Sequence, residues 1–510
     1  MRRIVFPLLI LLAHGSIVAA SDPEPVIVHG MNQVEYSVNS DAERDSLIPK
    51  EIFEDWLELD LRFDMVRIGF RYEAFQPHEL AADSVREGFV HRFAEIDFGR
   101  GGVRAGTFYG IFGRGLLFRS YEDRNVRIDN DMDGIWLHGN VGPLAAKAFS
   151  GRMREVETDE RSDVLRGVDL EADLPAGFTA GGSYLLQSSR NPNVNEYVPP
   201  PEPAHAEAYS GRAGYTHRLG DLYYEGGRIN RLYVSPLDSR IRALDYDDVR
   251  GTGHYAAASV YPLDGLALTG EYKRYERFRF QPQGSSGTDY NNPPALVRET
   301  AYTLMTRHPH EMNADDEEGF QIEAIYTPVW STTLTLNRAE TDDLSGGPLF
   351  HEWYGEWRQE IGEQWIVALA YDHIEQEAGG GEADEYRTPA LEVEYFPGGE
   401  WSLRGEYQFQ ESDTRSGITR DHFALLEYHP NMEFAFSVVG EHAQFLDPVA
   451  DGAELRRDDY FYAQVDWTLS MNHRFSVMAG KRREGYICVG GVCRKEPEFQ
   501  GVEMKLISNF

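Results

Sequence analysis

The most distinctive set of charged side chains lies in residues 106–134, where arginines and acids are interspersed. Gly110, Gly113 and Gly115 interrupt the strand pattern there, so we expect the chain to bend after Phe108. If this segment folds into a bore, its charges would set a constriction. An ordinary solvated loop with scattered ion pairs is the alternative. The candidate constriction residues are Arg114, Arg119, Glu122, Asp123, Arg124, Arg127, Asp129, Asp131 and Asp133.

Three of these acids also allow a calcium interpretation. Asp129, Asp131 and Asp133, followed by Gly134, have the D-x-D-x-D-G spacing that opens an EF-hand loop. The later acid that should complete the site is not convincingly placed, and position 140 is Asn140. We therefore favour a loop in the lumen over calcium, and we predict no metal and no cofactor.

The long polar segment 278–318 carries weaker signals. Asn292, followed by proline, could cap an amphipathic helix over residues 295–307. The segment would then lie inside a barrel or form a surface flap. Two imidazoles at 308–310 are too few to indicate a metal site. The acidic run 315–318 is expected to be a solvated patch.

The cysteines are Cys488 and Cys493, which enclose Val-Gly-Gly-Val. In an oxidising compartment we expect them to pair across a tight turn and to stabilise it by about 2 kcal/mol. A C-x4-C metal site is the alternative, but no histidine or second cysteine pair is nearby. The sequence has no GxSxG, HExxH or GxxxxGK[ST] motif. No enzymatic activity is predicted.

Residues 1–20 have the pattern of a secretory signal peptide. Two arginines precede an apolar run at 4–13, and small residues end at Ala20, after which we expect cleavage. The run is too short to span a bilayer. The formal net charge of −35 argues against nucleic-acid binding, which needs a basic surface. The expected organisation is a signal peptide followed by one domain, 21–510.

Period-two alternation recurs along the mature chain. In 499–510, Val502, Met504 and Leu506 fall on one side, and Glu503 and Lys505 fall on the other. Such strands have one apolar and one polar face. A soluble sandwich buries the apolar face, whereas a membrane barrel exposes it to lipid and turns the charged face to the lumen.

The rhythm of the connections favours the barrel. Short turns alternate with longer polar segments, as in outer-membrane barrels. Eleven short turns, with the first and last strands added, give about 24 strands (22–26). We predict an all-β, transmembrane, antiparallel, up-and-down β-barrel whose long outer loops, chiefly 113–133 and 278–318, fold partly into the lumen. The turns lie at 64–65, 99–102, 142–143, 174–177, 220, 262–265, 328–330, 360–364, 397–400, 430–431 and 470–473.

Three short stretches carry a resemblance to a known family. They are RSYEDR at 119–124, IDN at 128–130 and NNPPALVRE at 291–299. With the signal peptide and the terminal strand, they resemble an uncharacterised porin-like outer-membrane β-barrel family of Gram-negative bacteria. The resemblance spans the mature chain. It implies a barrel in the outer membrane but no particular activity.

The predicted function follows from the size of the barrel. Barrels of about 16–18 strands already leave an aqueous channel, and 22-stranded transporters are plugged. We therefore expect a channel or substrate-specific conduit for small solutes, narrowed by its own loops. The alternative is a non-conducting scaffold or binding partner of an export or surface-assembly machine. The expected partners are outer-membrane lipid, lipopolysaccharide and the barrel-assembly machinery, with no nucleic acid.

Overall fold

The structure, a computed structural model, consists almost entirely of strands. It describes residues 26–39, 51–77, 86–124, 126–155, 161, 163–189, 204–231, 250–282, 288–377, 383–415, 417–446, 455–489 and 492–510. The predicted signal peptide, residues 1–20, lies outside these ranges. No helix in the described part of the chain is long and apolar enough to cross a membrane.

In chain order the strands are β1 (Ile27–Asn39), β2 (Glu51–Phe63), β3 (Val66–Pro77), β4 (Arg86–Asp97), β5 (Gly101–Phe108), β6 (Gly110–Ile111), β7 (Arg119–Ser120), β8 (Glu122–Asp123), β9 (Ile128–Asp129), β10 (Met132–Val141), β11 (Leu144–Met153), β12 (Val164–Asp173), β13 (Phe178–Ser189), β14 (Ala204–His217), β15 (Gly220–Arg231), β16 (Arg250–Leu263), β17 (Leu266–Glu276), β18 (Asp316–Val329), β19 (Thr332–Asp342), β20 (Pro348–Ile361), β21 (Trp365–Glu377), β22 (Ala383–Tyr395), β23 (Ser402–Thr414), β24 (Gly417–His429), β25 (Phe434–Leu446), β26 (Leu455–Ser470), β27 (His473–Arg482), β28 (Gly485–Val489), β29 (Val492–Glu496) and β30 (Phe499–Asn509). Short 3-10 turns occupy Pro175–Gly177 and Met305–Arg307.

β1–β5, β10–β27 and β30 form one 24-stranded antiparallel sheet, in which each strand pairs with the next barrel strand along the chain. The last strand, β30, pairs with β27 on one side and with β1 on the other, where Val34 lies opposite Leu506. The sheet therefore closes on itself, and no barrel strand is left as an edge. The predicted 24-stranded up-and-down barrel is confirmed.

Short turns join the barrel strands in pairs, as predicted. Several of them need a left-handed backbone, which glycine and aspartate adopt most readily. Gly142 (φ 59°), Gly265 (φ 79°) and Asp64 (φ 49°) occupy such positions. Because these tight connections all return the chain to one end of the barrel, the longer connections lie at the other end.

Burial along the strands is opposite to that of a soluble protein. Trp353, Leu369 and Tyr371 are exposed, whereas their chain neighbours Glu352 and Asp372 are buried. The apolar side chains thus form the outer face of the barrel, and the charged ones point inward. An apolar outer face of this extent is stable against lipid and would be unfavourable in water.

Inside the barrel, two long connections pack against the wall. We call the described parts of residues 109–131 the first inner loop and those of residues 277–315 the second inner loop. Phe112, Leu116 and Phe118 of the first inner loop are fully buried beside inward-facing Phe149 and Leu185 of the wall. The barrel therefore has an apolar core on one side of its lumen, built from loops and wall together.

Two expectations for residues 278–318 were wrong. The predicted helix over 295–307 is absent except for the 3-10 turn at Met305–Arg307, because backbone groups of this segment bond to wall side chains instead. The acidic run is solvated only in part, since Asp316 is exposed but Glu317 is not. Glu317 is fully buried in β18, 2.6 Å from the Lys273 ammonium of β17. A buried acid with a paired cation avoids the cost of an isolated buried charge.

Candidate functional site

The two inner loops are bonded to each other as well as to the wall. The Arg119 backbone amide donates to the Tyr290 carbonyl (2.9 Å), and the Asn292 amide donates to the Gly115 carbonyl (3.2 Å). The Asn291 side-chain amide donates to the Leu116 carbonyl (3.2 Å). With their shared apolar core, these bonds join two segments far apart in sequence into one folded body.

Arg114 attaches the first inner loop to β15 and β16. Its guanidinium lies over the Tyr223 ring at 4.4 Å and donates to the Tyr255 hydroxyl at 3.1 Å. Its backbone amide donates to the Glu225 carboxylate at 3.3 Å. The preceding Gly113 has φ 53°, and a Cβ there would clash with that carboxylate. The sequence Gly-Arg therefore lets the loop approach the wall closely.

The second inner loop reaches around the wall to β23 and β25. Arg307 donates to both carboxylate oxygens of Glu441, at 2.5 and 2.6 Å. The Leu304 amide donates to Gln408 (2.8 Å), and Gln410 donates to the Leu304 carbonyl (2.9 Å). A bidentate ion pair with two flanking hydrogen bonds fixes this end of the loop.

His308 lies between these anchors. Its ring stacks on Tyr386 with centroids 3.5 Å apart, and its Nε2 is 2.9 Å from the Gln410 side-chain oxygen. Burial, with a smaller effect of the positive charges of Arg307 and Arg483, lowers the pKa of His308 from 6.5 to about 4. The docked imidazole is therefore neutral at pH 7, with its Nε2–H donating to Gln410.

On the other side of the lumen, Arg71 of β3 joins the first inner loop to the wall. Its guanidinium pairs with two wall acids, Glu58 (2.6 Å) and Glu73 (3.2 Å). It also pairs with two loop acids, Glu122 (2.5 Å) and Asp129 (3.3 Å). The Arg71 side chain is only 5% exposed. We call these five residues the Arg71 network.

Asp129 extends the network to neighbouring strands. It accepts hydrogen bonds from the Tyr109 hydroxyl (2.9 Å) and from Arg154 (3.0 Å), and it lies 3.0 Å from His91 Nε2. Burial by itself would raise the pKa of Asp129, but the His91 hydrogen bond and the nearby cations hold that pKa below its usual value. The carboxylate stays ionised in the folded protein.

The calcium interpretation does not fit this environment. His91, Asp129 and Asp131 bring ligand atoms within 4.8 Å of one another. Both oxygens of Asp131, however, accept from Arg161, at 2.7 and 2.6 Å. Asp133 lies on β10, where it pairs with Arg92 at 3.0 Å. Guanidinium groups thus neutralise the acids that calcium would need.

The Arg71 network separates two cavities. The long-loop cavity has a volume of about 1160 Å³ and is lined by Glu54 and Glu73 near the long-loop ends of β2 and β3. The short-turn cavity, of about 510 Å³, is lined by Asp60 and Arg67 near the opposite ends of these strands. Glu122 lines both cavities. The paired side chains of the network therefore form a barrier between the two cavities.

The predicted constriction residues have different positions. Glu122 and Asp129 belong to the Arg71 network, and Arg124 bonds to Glu122 (2.9 Å) and Glu58 (3.2 Å) beside it. Arg127 lines the long-loop cavity. The remaining five lie elsewhere: Arg114 at β15 and β16, Arg119 over the Tyr121 ring, Asp123 in β8 opposite Ile128, Asp131 with Arg161, and Asp133 with Arg92.

His91 and Tyr109 were not anticipated from the sequence. Apart from the place of His91 in an alternating strand, the sequence does not indicate that this residue contacts the first inner loop. Tyr109 directly follows the expected bend after Phe108, which could have marked it as the first loop residue to contact the wall. Arg71 lies on the charged face of an alternating strand, but no local pattern indicates its partners on the loop.

The cysteines lie in a hairpin beside the long-loop cavity. β28 and β29 pair so that Cys488 is opposite Cys493, and Cys493 is disulfide-bonded. Two residues that follow, Arg494 and Glu496, line the cavity. The hairpin thus contributes charged side chains to this space.

The closed sheet, its apolar outer face and its charged interior define an outer-membrane β-barrel. The chain belongs to DUF6029, a family of unknown function, whose family model matches residues 1–510. No curated protein matches the chain.

Three solved structures illustrate the likeness of fold. The E. coli P pilus tip assembly intermediate PapC-PapD-PapK-PapG matches with a TM-score of 0.53 and 10% identity, over 94% of this chain and 60% of that chain. The P pilus usher (PapC) translocation pore matches with a TM-score of 0.48 and 9% identity, over 95% and 99%. The copper transporter OprC matches with a TM-score of 0.43 and 9% identity, over 96% and 82%. At these identities the likeness concerns the fold alone.

Proposed function

We propose that this protein is an outer-membrane channel for small solutes, narrowed by its two inner loops and closed by the Arg71 network. A barrel of 24 strands would by itself enclose a wide bore. The inner loops fill much of that bore, and the two cavities lie along the wall that bears Arg71. The observation that carries the proposal is that one ion-pair network, containing Glu122, stands between both cavities.

The network has a loop half and a wall half. Glu122 and Asp129 belong to the first inner loop, whereas Glu58 and Glu73 lie on the barrel strands β2 and β3. If the loop half withdraws, Arg71 keeps two carboxylate partners and is not left as an unpaired buried charge. This arrangement limits the cost of opening, because the penalty for burying charge falls mainly on unpaired groups.

The remaining parts of the proposal concern export and location. Residues 1–20 would be removed after Ala20, leaving 21–510 as a single barrel. The barrel-assembly machinery would insert it into the outer membrane of a Gram-negative bacterium. Outer-membrane lipid and lipopolysaccharide would cover the apolar outer face. The apolar leader and the exposed apolar belt support these steps.

Conductance in planar bilayers tests the channel. The refolded barrel should give small conductance steps. A variant whose residues 288–312 are replaced by a short Gly-Ser linker should give much larger steps, because part of the filling is removed. Heat-modifiable gel migration would verify that both proteins form barrels. If neither folded barrel conducts, the channel function is wrong, and the non-conducting scaffold is the better explanation.

A further inference from the structure

Resting on the proposed channel function, we infer that the long-loop cavity selects small anions, meaning solutes that carry a carboxylate or phosphate group. This selectivity is opposite to the net charge of the chain, −35. It follows from the way in which charged partners are arranged around the cavity.

In the ion pairs of which both partners line this cavity, the base is generally more exposed than its acid. Arg127 is 52% exposed and its partner Glu54 is 5% exposed. Lys505 is 37% exposed against 25% for Glu35. The base is also the more exposed partner in the pairs Arg482 with Glu496, Arg124 with Glu122 and Arg494 with Glu496. In the pair Arg154 with Asp129 the acid is slightly more exposed.

This order decides which charge a solute meets. The acids lie behind the bases and hold them in place, so a solute in the cavity approaches guanidinium and ammonium groups first. A unit charge about 4 Å away contributes about 4 kcal/mol near a protein surface, and the attraction weakens with distance. The nearer cations therefore outweigh the acids behind them, although the numbers of acids and bases are similar.

The exposed bases converge from separate parts of the fold. Arg127, with φ 52°, lies in the turn between β8 and β9 and lines the cavity from the first inner loop. Lys505 comes from β30, Arg482 from β27 and Arg494 from the disulfide hairpin. Arginine forks match the planar oxygens of carboxylates and phosphates, and a lysine adds a point charge. A site with bases on several sides suits a small anion better than a cation.

Ion selectivity of the folded barrel tests this inference. Under a KCl gradient across a planar bilayer, the reversal potential of the wild type should indicate preference for chloride. Acetate and inorganic phosphate, added separately, should each reduce the chloride current, and the more effective one identifies the favoured group. The double variant Arg127→Gln with Lys505→Gln should shift the preference severalfold toward potassium.

A matched control is Arg420→Gln. Arg420 pairs with Glu411 near the long-loop ends of β23 and β24, outside the cavity lining, and it should leave the reversal potential unchanged. Conductance that is cation-selective or non-selective in the wild type would overturn the anion site while leaving the channel intact. Selectivity that is unchanged in the double variant would also overturn it. Absence of conductance would instead refute the channel function on which the site rests.

Discussion

Arg71 is buried among four carboxylates, an environment that would be unfavourable for any neutral side chain of similar size. Without the guanidinium of Arg71, each acid of the Arg71 network would be partly desolvated beside another acid. Arg154 and His91 add donors on the Asp129 side. Replacing a buried ion pair by apolar groups often costs no stability, so networks of this kind need not exist for stability alone. The proposed role in closing the lumen would account for its position between the two cavities.

The first prediction is that Arg71→Met loosens the barrier. Removing one partner of a buried ion pair typically costs about 3–5 kcal/mol, because the remaining charges are left uncompensated. We expect the first inner loop to detach on the Arg71 side and the conductance to rise. The temperature at which heating changes the gel migration of the barrel should fall. Single-channel recording and gel migration measure these effects.

Arg67→Met provides the matched control. Arg67 lies on the same strand and face but is half exposed, with Asp60 as its ion-pair partner, so its loss should cost at most about 1 kcal/mol. Arg71→Lys should restore part of the barrier. Equal conductance in the Arg71→Met variant and the wild type would show that the barrier lies elsewhere.

The second prediction concerns His308 and pH. Its pKa is about 4 in the docked loop and 6.5 in a solvated one, so between these values the undocked state binds more protons. Docking of the second inner loop should be strongest above pH 6.5 and should weaken progressively as the pH falls toward 4. Hydrogen exchange of residues 288–315 at pH 7.5 and 5, corrected for the intrinsic exchange rate, measures this. In His308→Gln the pH dependence of docking should largely disappear, and its persistence would assign the effect to another group.

At the scale of elements, the inner loops replace regular structure by bonds to the wall. Buried backbone groups must find partners, and a loop can find them on side chains of neighbouring strands. The Pro294 carbonyl accepts from the Tyr275 hydroxyl (3.0 Å), and the Pro309 carbonyl accepts from Gln376 (3.1 Å). These bonds come from positions on several strands, so they fix an irregular path that helix propensity alone would not favour.

The third prediction is that Arg307→Met releases the far end of the second inner loop. The variant loses a bidentate pair to Glu441, while Arg483 remains 2.7 Å from the same carboxylate and limits the charge imbalance. We expect faster hydrogen exchange around residues 302–310 and a larger conductance, with barrel formation preserved. Arg420→Met is the control, since that arginine pairs with Glu411 of the barrel wall. Unchanged exchange in Arg307→Met would mean that the glutamine bonds alone hold the loop.

At the scale of the whole molecule, two features determine the architecture: the seam between the first and last strands, and the material inside the barrel. The seam joins β1 to β30 over residues Met31–Asn39. The inner loops then supply the apolar core that an aqueous barrel lacks. Because the loops bond to strands on different sides of the lumen, they also link distant parts of the wall.

The fourth prediction tests the seam. A Cβ on Gly501 would clash with the backbone carbonyl of Val38, so Gly501→Val should prevent β30 from pairing with β1. We expect a smaller fraction of folded, heat-modifiable barrel. Gly405→Val is the matched control, because a Cβ at that strand position meets nothing within 4 Å. Normal folding of the Gly501 variant would show that the seam tolerates local separation.

The barrel could be predicted from the sequence alone, because strand faces and tight turns depend on local chemistry. Alternation along β23 and the glycine turn at 142–143 can be recognised without knowing what surrounds them. Their repetition was enough to predict 24 strands. Buried acids such as Glu317 escaped this reasoning, since a charged run looks the same whether or not a lysine faces it.

The filling of the lumen and the position of the Arg71 network depend on tertiary contacts. Asn291 meets Leu116 across 175 residues, and Arg71 meets Glu122 across 51 residues. No local pattern specifies such pairs, because each depends on the path of a loop after the barrel has closed. The sequence could therefore identify charged loops, but the barrier at Arg71 is a property of the folded chain.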